Sequence, residues 1–363
     1  MHLRHKYVGT CNGVILLAPE RFDGGGASIV LFNPAIAGSE EAVRMELPDL
    51  PEPGRYRVSG FGYGTSRRLH MVLVAREEEC LDTNDRKSRR AMYRAKELLV
   101  YTLGAGGPSS PDDRQLRSVL PELDAKISSK SVYLDGKVYL LADYSRVLVF
   151  DVDDETVATV DLPGERLPGK RRRHARSKLM EVSGRLCVAT ATDDKLSLWL
   201  LTPDQQWVRL CESRCGDVNA AKLAGAWDCG GVVLLYFVHR YSKVAHMRMY
   251  DTRNDEEFSR LAMPRAVAEQ GGAAGRMLLC WGYKPTLVSP GSIVGAPPRR
   301  RCAGGVLAAS DPQLEREVDA GRERTLEMVC FMNLLLYITR KLPDNAKDVI
   351  KELKWKSLPL SLR

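Results

Sequence analysis

The chain has 363 residues, 44% hydrophobic and 28% charged, a composition that fits a folded globular protein and excludes a disordered one. Its length suits one large all-β domain or two ordinary ones. The net charge of +8, from 54 Lys and Arg against 46 Asp and Glu, is mild for such a length and argues for solubility more than for nucleic-acid binding.

Nine cysteines are scattered without a CxxC pair, the nearest approach being Cys211 with Cys215, so zinc-finger spacing is absent and reduced, mostly buried thiols are expected. Met1 to Tyr7 is polar and lacks a signal-peptide run. The longest apolar stretch, Val232 to Val238, is too short to span a bilayer. A cytoplasmic or nuclear location with no membrane contact is therefore expected.

Taken in chain order, the elements repeat. A polar turn ending in Gly precedes an apolar run, and a second apolar strand follows. The first copy is Cys11-Asn12-Gly13 with Val14 to Ala18, partnered by Ser28 to Phe32 and closed by Asn33-Pro34. A looser copy has Gly60-Phe61-Gly62-Tyr63-Gly64 leading into Leu69 to Ala75. Its partner is Leu98 to Thr102, after a charged insertion, Arg76 to Lys96, expected as a long exposed loop. Three clearer copies follow. Leu134-Asp135-Gly136 precedes Lys137 to Ala142 and Val147 to Asp151; Val182-Ser183-Gly184 precedes Arg185 to Ala189 and Leu196 to Leu200; Asp228-Cys229-Gly230 precedes Val232 to Phe237 and His246 to Asp251. The glycines at 136, 184 and 230 are 48 and 46 residues apart.

These runs are short, rich in Val, Leu and aromatics, and bounded by Gly, Asp, Asn and Pro, which reads as strands joined by hairpins. A repeat of this length built from antiparallel strands fits a propeller blade, and one blade cannot bury both of its faces alone. The expected fold is all-β: a β-propeller-like array of short antiparallel blades over residues 1–290, favoured over a β-sandwich by the regular spacing. Met277 to Trp281 with Thr286 to Ser289 reads as its last element. Residues 291–315, rich in Gly, Pro, Ala and Arg, read as a linker, and residues 316–363 as a helical C-terminal tail with one helix over 316–342 and a second over Asp344 to Trp355.

The order of these fragments resembles the plant F-box-associated interaction domain. The matching pieces are Cys11-Asn12-Gly13-Val14-Ile15-Leu16-Leu17, Leu31-Phe32-Asn33-Pro34-Ala35, Leu47-Pro48, Phe61-Gly62-Tyr63 and Val100-Tyr101-Thr102-Leu103-Gly104. Further along come Ser131-Val132-Tyr133-Leu134-Asp135-Gly136, Phe150-Asp151 to Leu162-Pro163, Gly184-Arg185-Leu186-Cys187-Val188, Leu198-Trp199-Leu200-Leu201 and Trp207. The resemblance covers about residues 8 to 290. It implies a module that captures a substrate protein for a cullin ubiquitin ligase, following an F-box that binds the Skp adaptor. There is no room for an F-box before Thr10 and none is read later, so the Skp adaptor is not expected to bind this chain alone, and the substrate protein is not identified.

No catalytic constellation is read, and neither a cofactor nor a metal is expected. Six histidines, His2, His5, His70, His174, His239 and His246, are dispersed, and strand histidines are more often structural. HExxH, GxSxG and Walker loops are absent, and Gly24-Gly25-Gly26 lacks the Lys-Ser or Lys-Thr of a phosphate cradle. The carboxylate clusters Glu77 to Glu79, Asp151 to Glu155, Asp193-Asp194 and Asp255 to Glu257 read as solvated turns. The candidate binding feature is a basic loop, Lys170, Arg171, Arg172 and Arg173 with Arg176 and Lys178. An exposed inter-blade loop is favoured there over a nuclear import signal, and nucleic acid is not the expected partner. Trp199, Trp207, Trp227 and Trp281 are expected to pack between blades. The expected role is a non-enzymatic protein-binding module, with a carbohydrate- or nucleic-acid-binding propeller and a propeller-scaffold enzyme as alternatives.

Overall fold

The structure is a computed structural model. It describes residues 5–23, 27–36, 42–48, 50, 52–80, 92–104, 116–163, 177–191, 195–214, 221–229, 231–239, 245–262 and 283–294, with six residues between 325 and 333. These divide into two compact units. Unit 1 is Met1–Gly164 with Gly282–Ala309, and unit 2 is Glu165–Trp281 with Ser310–Arg363.

Unit 1 contains three antiparallel sheets. The first has the order β1 (His5–Cys11), β2 (Val14–Pro19), β4 (Ser28–Phe32), β5 (Ala42–Glu46). The second has the order β3 (Phe22–Asp23), β6 (Arg55–Gly64), β7 (Leu69–Cys80), β8 (Met92–Leu103), β9 (Arg117–Leu120). The third runs β10 (Ile127–Leu134), β11 (Lys137–Ala142), β12 (Arg146–Asp151), β13 (Thr156–Asp161). Unit 2 has two more sheets. One is β14 (Lys178–Val182), β15 (Arg185–Ala191), β16 (Lys195–Leu201), β17 (Trp207–Arg214); the other is β18 (Ala221–Asp228), β19 (Val232–His239), β20 (Ala245–Asp251), β21 (Glu256–Ala262). The architecture is all-β, a β-propeller-like array of short antiparallel blades, and the described strands do not merge into the two large sheets of a sandwich.

The hairpins repeat at the level of single torsions. The first turn of three sheets is a two-residue loop with both residues at positive φ: Asn12 and Gly13 (48° and 73°), Asp135 and Gly136 (48° and 78°), Ser183 and Gly184 (52° and 75°). Such a turn matches the twist of the flanking strands, which explains the Asn-Gly and Asp-Gly pairs. The outer turns of the third and fifth sheets also share a device. The Asp151 carboxylate accepts from the amides of Asp153 (3.1 Å) and Asp154 (3.2 Å), and the Asp251 carboxylate accepts from the amide of Arg253 (3.0 Å) and from Asn254 Nδ2 (2.9 Å). Each turn ends on a left-handed carboxylate residue, Glu155 (54°) or Asp255 (55°).

Within each unit the described cores lie between consecutive sheets. In the second sheet, Val72, Val74 and Leu99 face the first sheet's Leu16, Ile29 and Leu31, while Met71, Leu73, Leu98 and Val100 face the third sheet's Val138, Leu140 and Phe150. Alternate residues of one strand thus enter two cores, so β7 reads as an unbroken apolar run although its side chains still alternate. In unit 2 the two sheets enclose Val182, Cys187, Leu198, Val233, Leu235 and Tyr250.

The first long strands of the sheets of unit 1, β1, β6 and β10, pack on one another, and glycine makes this approach fit. A Cβ on Gly62 would lie 2.5 Å from Val138 Cγ2 and 2.9 Å from Val152 Cγ2, and one on Gly9 would lie 2.7 Å from Ser131 Oγ. The Gly60–Gly64 segment, expected as a turn, is therefore the inner half of β6, with alternate glycines against the third sheet. The turn itself follows directly, at Thr65–Arg68. The expected long loop over Arg76 to Lys96 is also corrected. β7 extends to Cys80 and β8 begins at Met92, so much of the insertion is paired strand.

The expected strand at Thr286 to Ser289 is an irregular segment outside any sheet, and it leads into a helical turn, α1 (Pro290–Ile293). Met277 to Trp281 lies outside the described residues. In the tail, Thr325, Leu326, Val329, Cys330, Met332 and Asn333 are helical, whereas Asp344 to Trp355 lies outside the described residues. No helix among the described residues is long and apolar enough to cross a membrane.

Gly62→Val forces a branched side chain onto Val138 and Val152, neither of which can swing clear. We expect a loss of about 1–3 kcal/mol in urea unfolding. Gly184→Ala, whose Cβ meets nothing, should cost only the strain of its left-handed torsion.

Candidate interaction surface

At the end of unit 1 where β1, β6 and β10 begin, charged side chains from all three sheets converge. Glu77, on β7, is 3% exposed, and arginines from the β2–β3 connection and from its own sheet reach it. Its carboxylate takes Arg21 Nε at 2.6 Å and Arg57 Nη2 at 2.8 Å. Arg21 leaves the first sheet after β2, while Arg57 sits on β6 and donates onward to the Ile127 carbonyl of β10 at 2.7 Å. The Glu77–Arg57 pair of the second sheet is thereby joined to the connection from the first sheet through Arg21 and to the third through the Arg57 bond to Ile127. Burial pulls the Arg57 pKa down and Glu77 pushes it back up, and a guanidinium stays charged throughout. Arg57 Nε is buried without a hydrogen-bond partner, a cost the pair carries.

Around this pair lies a more open layer. The guanidinium carbons of Arg21 and Arg55 stand 4.2 and 4.9 Å from the centre of the Tyr93 ring, and Arg55 also donates to the Tyr93 hydroxyl. Lys126 Nζ lies 5.4 Å from the Tyr144 ring and Lys130 Nζ 5.6 Å from the Tyr7 ring. Arg94 grips Asp124 through Nε (2.9 Å) and reaches Asp143 (3.4 Å), and Lys96 adds a 2.7 Å contact to Asp124. Hydrogen bonds from Arg94 and then Lys96 hold the Asp124 carboxyl below its ordinary range. The result is a rim of half-exposed tyrosines under cations, with carboxylates interleaved. Tyr and Arg in such settings present large, rigid contact area together with directional donors.

Glu77 corrects the reading of Glu77 to Glu79 as a solvated turn: all three lie on β7, and Glu77 is buried and doubly paired. The signal in the sequence was Arg57, an arginine within a strand, but its partner is twenty residues away. Asp151 to Glu155 does form a turn. There Asp153 accepts from the Thr65 amide (3.1 Å), the Thr65 hydroxyl (2.9 Å) and the Ser66 amide (2.9 Å) of the neighbouring sheet's turn. Asp193 and Asp194 lie outside the described residues.

Of the basic candidates, Lys170, Arg171, Arg172, Arg173 and Arg176 lie outside the described residues. Lys178 opens β14 and its Nζ donates to the Leu223 carbonyl at 3.5 Å, within unit 2. The histidines are separate. His5 bonds the Ser28 carbonyl (3.0 Å), His246 stacks on Phe237 (5.4 Å between centroids), and His70 stacks on Phe61 (5.7 Å) and Tyr63 (4.7 Å). His2 and His174 lie outside the described residues. Burial holds Cys11 and Cys187 as thiols by raising their pKa values, which removes them as nucleophiles at neutral pH. Among the described residues no group of three His, Cys, Asp or Glu is placed to hold a metal ion. Trp199, Trp207 and Trp227 are half-buried, and Trp199 Nε1 bonds Thr190 Oγ1 (3.2 Å) on the adjacent strand of its own sheet, while Trp281 lies outside the described residues.

No family model matches the chain, and no curated protein does either. Among solved structures it is similar to a prolyl endopeptidase (12% identity, TM-score 0.38, covering 71% of this chain and 35% of that one). It is also similar to the β-propeller domain of Myceliophteria thermophila Cps50 (Swd1) (10% identity, TM-score 0.32, 73% and 89%) and to BamB from Moraxella catarrhalis (11% identity, TM-score 0.29, 71% and 77%). The chain spans about a third of the length of the prolyl endopeptidase.

Two outcomes follow. Glu77→Gln leaves Arg57 buried against a neutral amide, and we expect a loss of about 3 kcal/mol in denaturant unfolding, against under about 1 kcal/mol for breaking the exposed Lys6–Glu20 pair. His70 has its pKa lowered by burial from 6.5 to about 4, and its Nε2 has no hydrogen-bond partner. The unfolded chain therefore binds the extra proton first, and stability present above about pH 6.5 is lost as pH falls toward 4. His70→Leu should remove up to about 3 kcal/mol of that acid sensitivity, read as a smaller stability difference between pH 7 and pH 4.5.

Proposed function

We propose that the protein is a non-enzymatic protein-binding module, and that the rim bearing Tyr93, Arg21 and Arg55 is where a protein ligand docks. The observation that carries this reading is the pairing of one half-exposed tyrosine with two guanidiniums above a buried ion pair that keeps them in place. Such a group offers a protein surface an aromatic face, charge-assisted donors and little side-chain entropy left to lose. The scaffold below it is suited to the task. Blades stacked through apolar cores hold their connecting turns rigidly, so ligand contacts are presented without prior ordering. Fold alone does not assign function, and the residues at the rim supply the chemical part of the reading.

The resemblance of the Cys-Asn-Gly, Asn-Pro-Ala and later segments to plant F-box-associated domains supports a finer proposal: the ligand is a substrate protein presented for ubiquitination. Of the basic residues on which a nucleic-acid reading would rest, Lys170, Arg171, Arg172, Arg173 and Arg176 lie outside the described residues and Lys178 contacts the Leu223 carbonyl within unit 2, so none of them supports the rim.

Tyr93→Ala and Arg55→Ala test the reading. For a purified ligand found by cross-linking to this rim, each should weaken binding by about 2 kcal/mol, a roughly thirtyfold rise in Kd, with unchanged near-ultraviolet circular dichroism. Unchanged affinity in both variants would place the ligand elsewhere on the protein.

A further inference from the structure

At the other end of unit 1, beyond the ends of β1 and β10, the protein holds a segment from far along its own sequence. Residues 283–289 run without joining a sheet, and α1 follows. They are held by main-chain recognition. Asn33, wholly buried, donates from Nδ2 to the carbonyls of Thr286 and Val288, each at 2.9 Å. Its Oδ1 accepts from the Tyr283 hydroxyl at 2.9 Å and from the Ala35 amide at 3.0 Å. All four hydrogen-bonding positions of the amide are filled, three of them by the segment. The Thr286 hydroxyl adds a 2.6 Å bond to the Asn12 carbonyl.

The walls are shaped for the segment as well. Gly13 and Gly104 have φ of +73° and +82°; a Cβ on the first would strike Thr286 and on the second the Ile293 carbonyl. Ile293, 4% exposed, enters the core between the first and second sheets. Leu287, by contrast, is 89% exposed and takes no part.

One side-chain amide thus takes two main-chain carbonyls two residues apart, a contact that does not depend on the side chains of the segment it holds. Selectivity then comes from the side chains at three positions, Tyr283, Thr286 and Ile293. We propose that this slot is a peptide-binding site which the protein fills with its own residues 283–294. That built-in occupant competes with a segment of a partner protein carrying a tyrosine, a hydroxyl side chain three residues later and a β-branched aliphatic one seven residues after that. No sheet ladder fastens the occupant, so its release breaks a few side-chain bonds and withdraws one apolar anchor while the three sheets stay paired. The slot is separate from the Tyr93 rim, and neither depends on the other being a binding site.

The test uses the full chain and a fluorescent peptide of the sequence of residues 283–294, followed by anisotropy. The double variant Thr286→Ala, Ile293→Ala weakens the occupant and leaves the slot intact, and it should bind the peptide roughly thirtyfold more tightly than the natural chain. Adding Asn33→Ala should abolish that gain. Equal binding by the natural chain and the double variant, or binding that survives Asn33→Ala, overturns the proposal. Should the double variant fail to fold, hydrogen exchange on the natural chain decides. The amides of 288–294 should exchange at least about tenfold faster than those of β2 and β11, because the occupant opens without global unfolding. Exchange as slow as in those strands overturns it.

Discussion

Within unit 1 the second sheet must hide apolar side chains on both faces, and it does so by lying between the first sheet and the third. Its strand β7 sends Val72 and Val74 one way and Met71, Leu73 and Ala75 the other, so two cores depend on the register of one strand. A slip of one residue would exchange the two sets and disturb both cores at once. The same stacking requires close approach where the inner strands meet, and Gly9, Gly60 and Gly62 are the positions where the backbone itself forms the contact surface.

The polar anchors follow from that geometry. Glu77 is reached by arginines from two sides because the blades converge there, and its two ion pairs with the Arg57 bond to the Ile127 carbonyl link sheets whose apolar cores cannot specify their relative rotation. At the opposite end the Asp153 carboxylate bridges the second and third sheets through Thr65 and Ser66, and Asn33 binds the returning segment. Each is a buried or half-buried polar group whose hydrogen-bonding capacity is met by a different sheet or by a distant stretch of chain. Such groups favour one arrangement of the blades over others that bury equal apolar area.

Much of this was legible in the residues. The two-residue turns at Asn12-Gly13, Asp135-Gly136 and Ser183-Gly184 were readable because positive φ at two successive positions selects Asn, Asp and Gly. The alternation of Leu196, Leu198 and Leu200 with Ser197 and Trp199 appears as alternating burial along β16. The misreadings have physical causes too. Gly60, Gly62 and Gly64 looked like a turn because glycine marks both turns and close backbone approach, and only the neighbouring sheet distinguishes them. The charged stretch after Arg76 looked like a loop because charge suggests solvent, yet Glu77 is buried by partners distant in sequence.

The strands, their hairpin turns and the blade-sized repeat are local properties, set by side-chain alternation and by torsions that few residues adopt, and the sequence alone determined them. Which carboxylate would be buried, which tyrosine would lie under two guanidiniums, and which segment Asn33 would hold were decided only by the tertiary structure. These depend on pairs such as Arg57 with Ile127 and Asn33 with Val288, whose separation along the chain leaves no periodic trace, and whose energy exists only once the sheets have excluded water from between them.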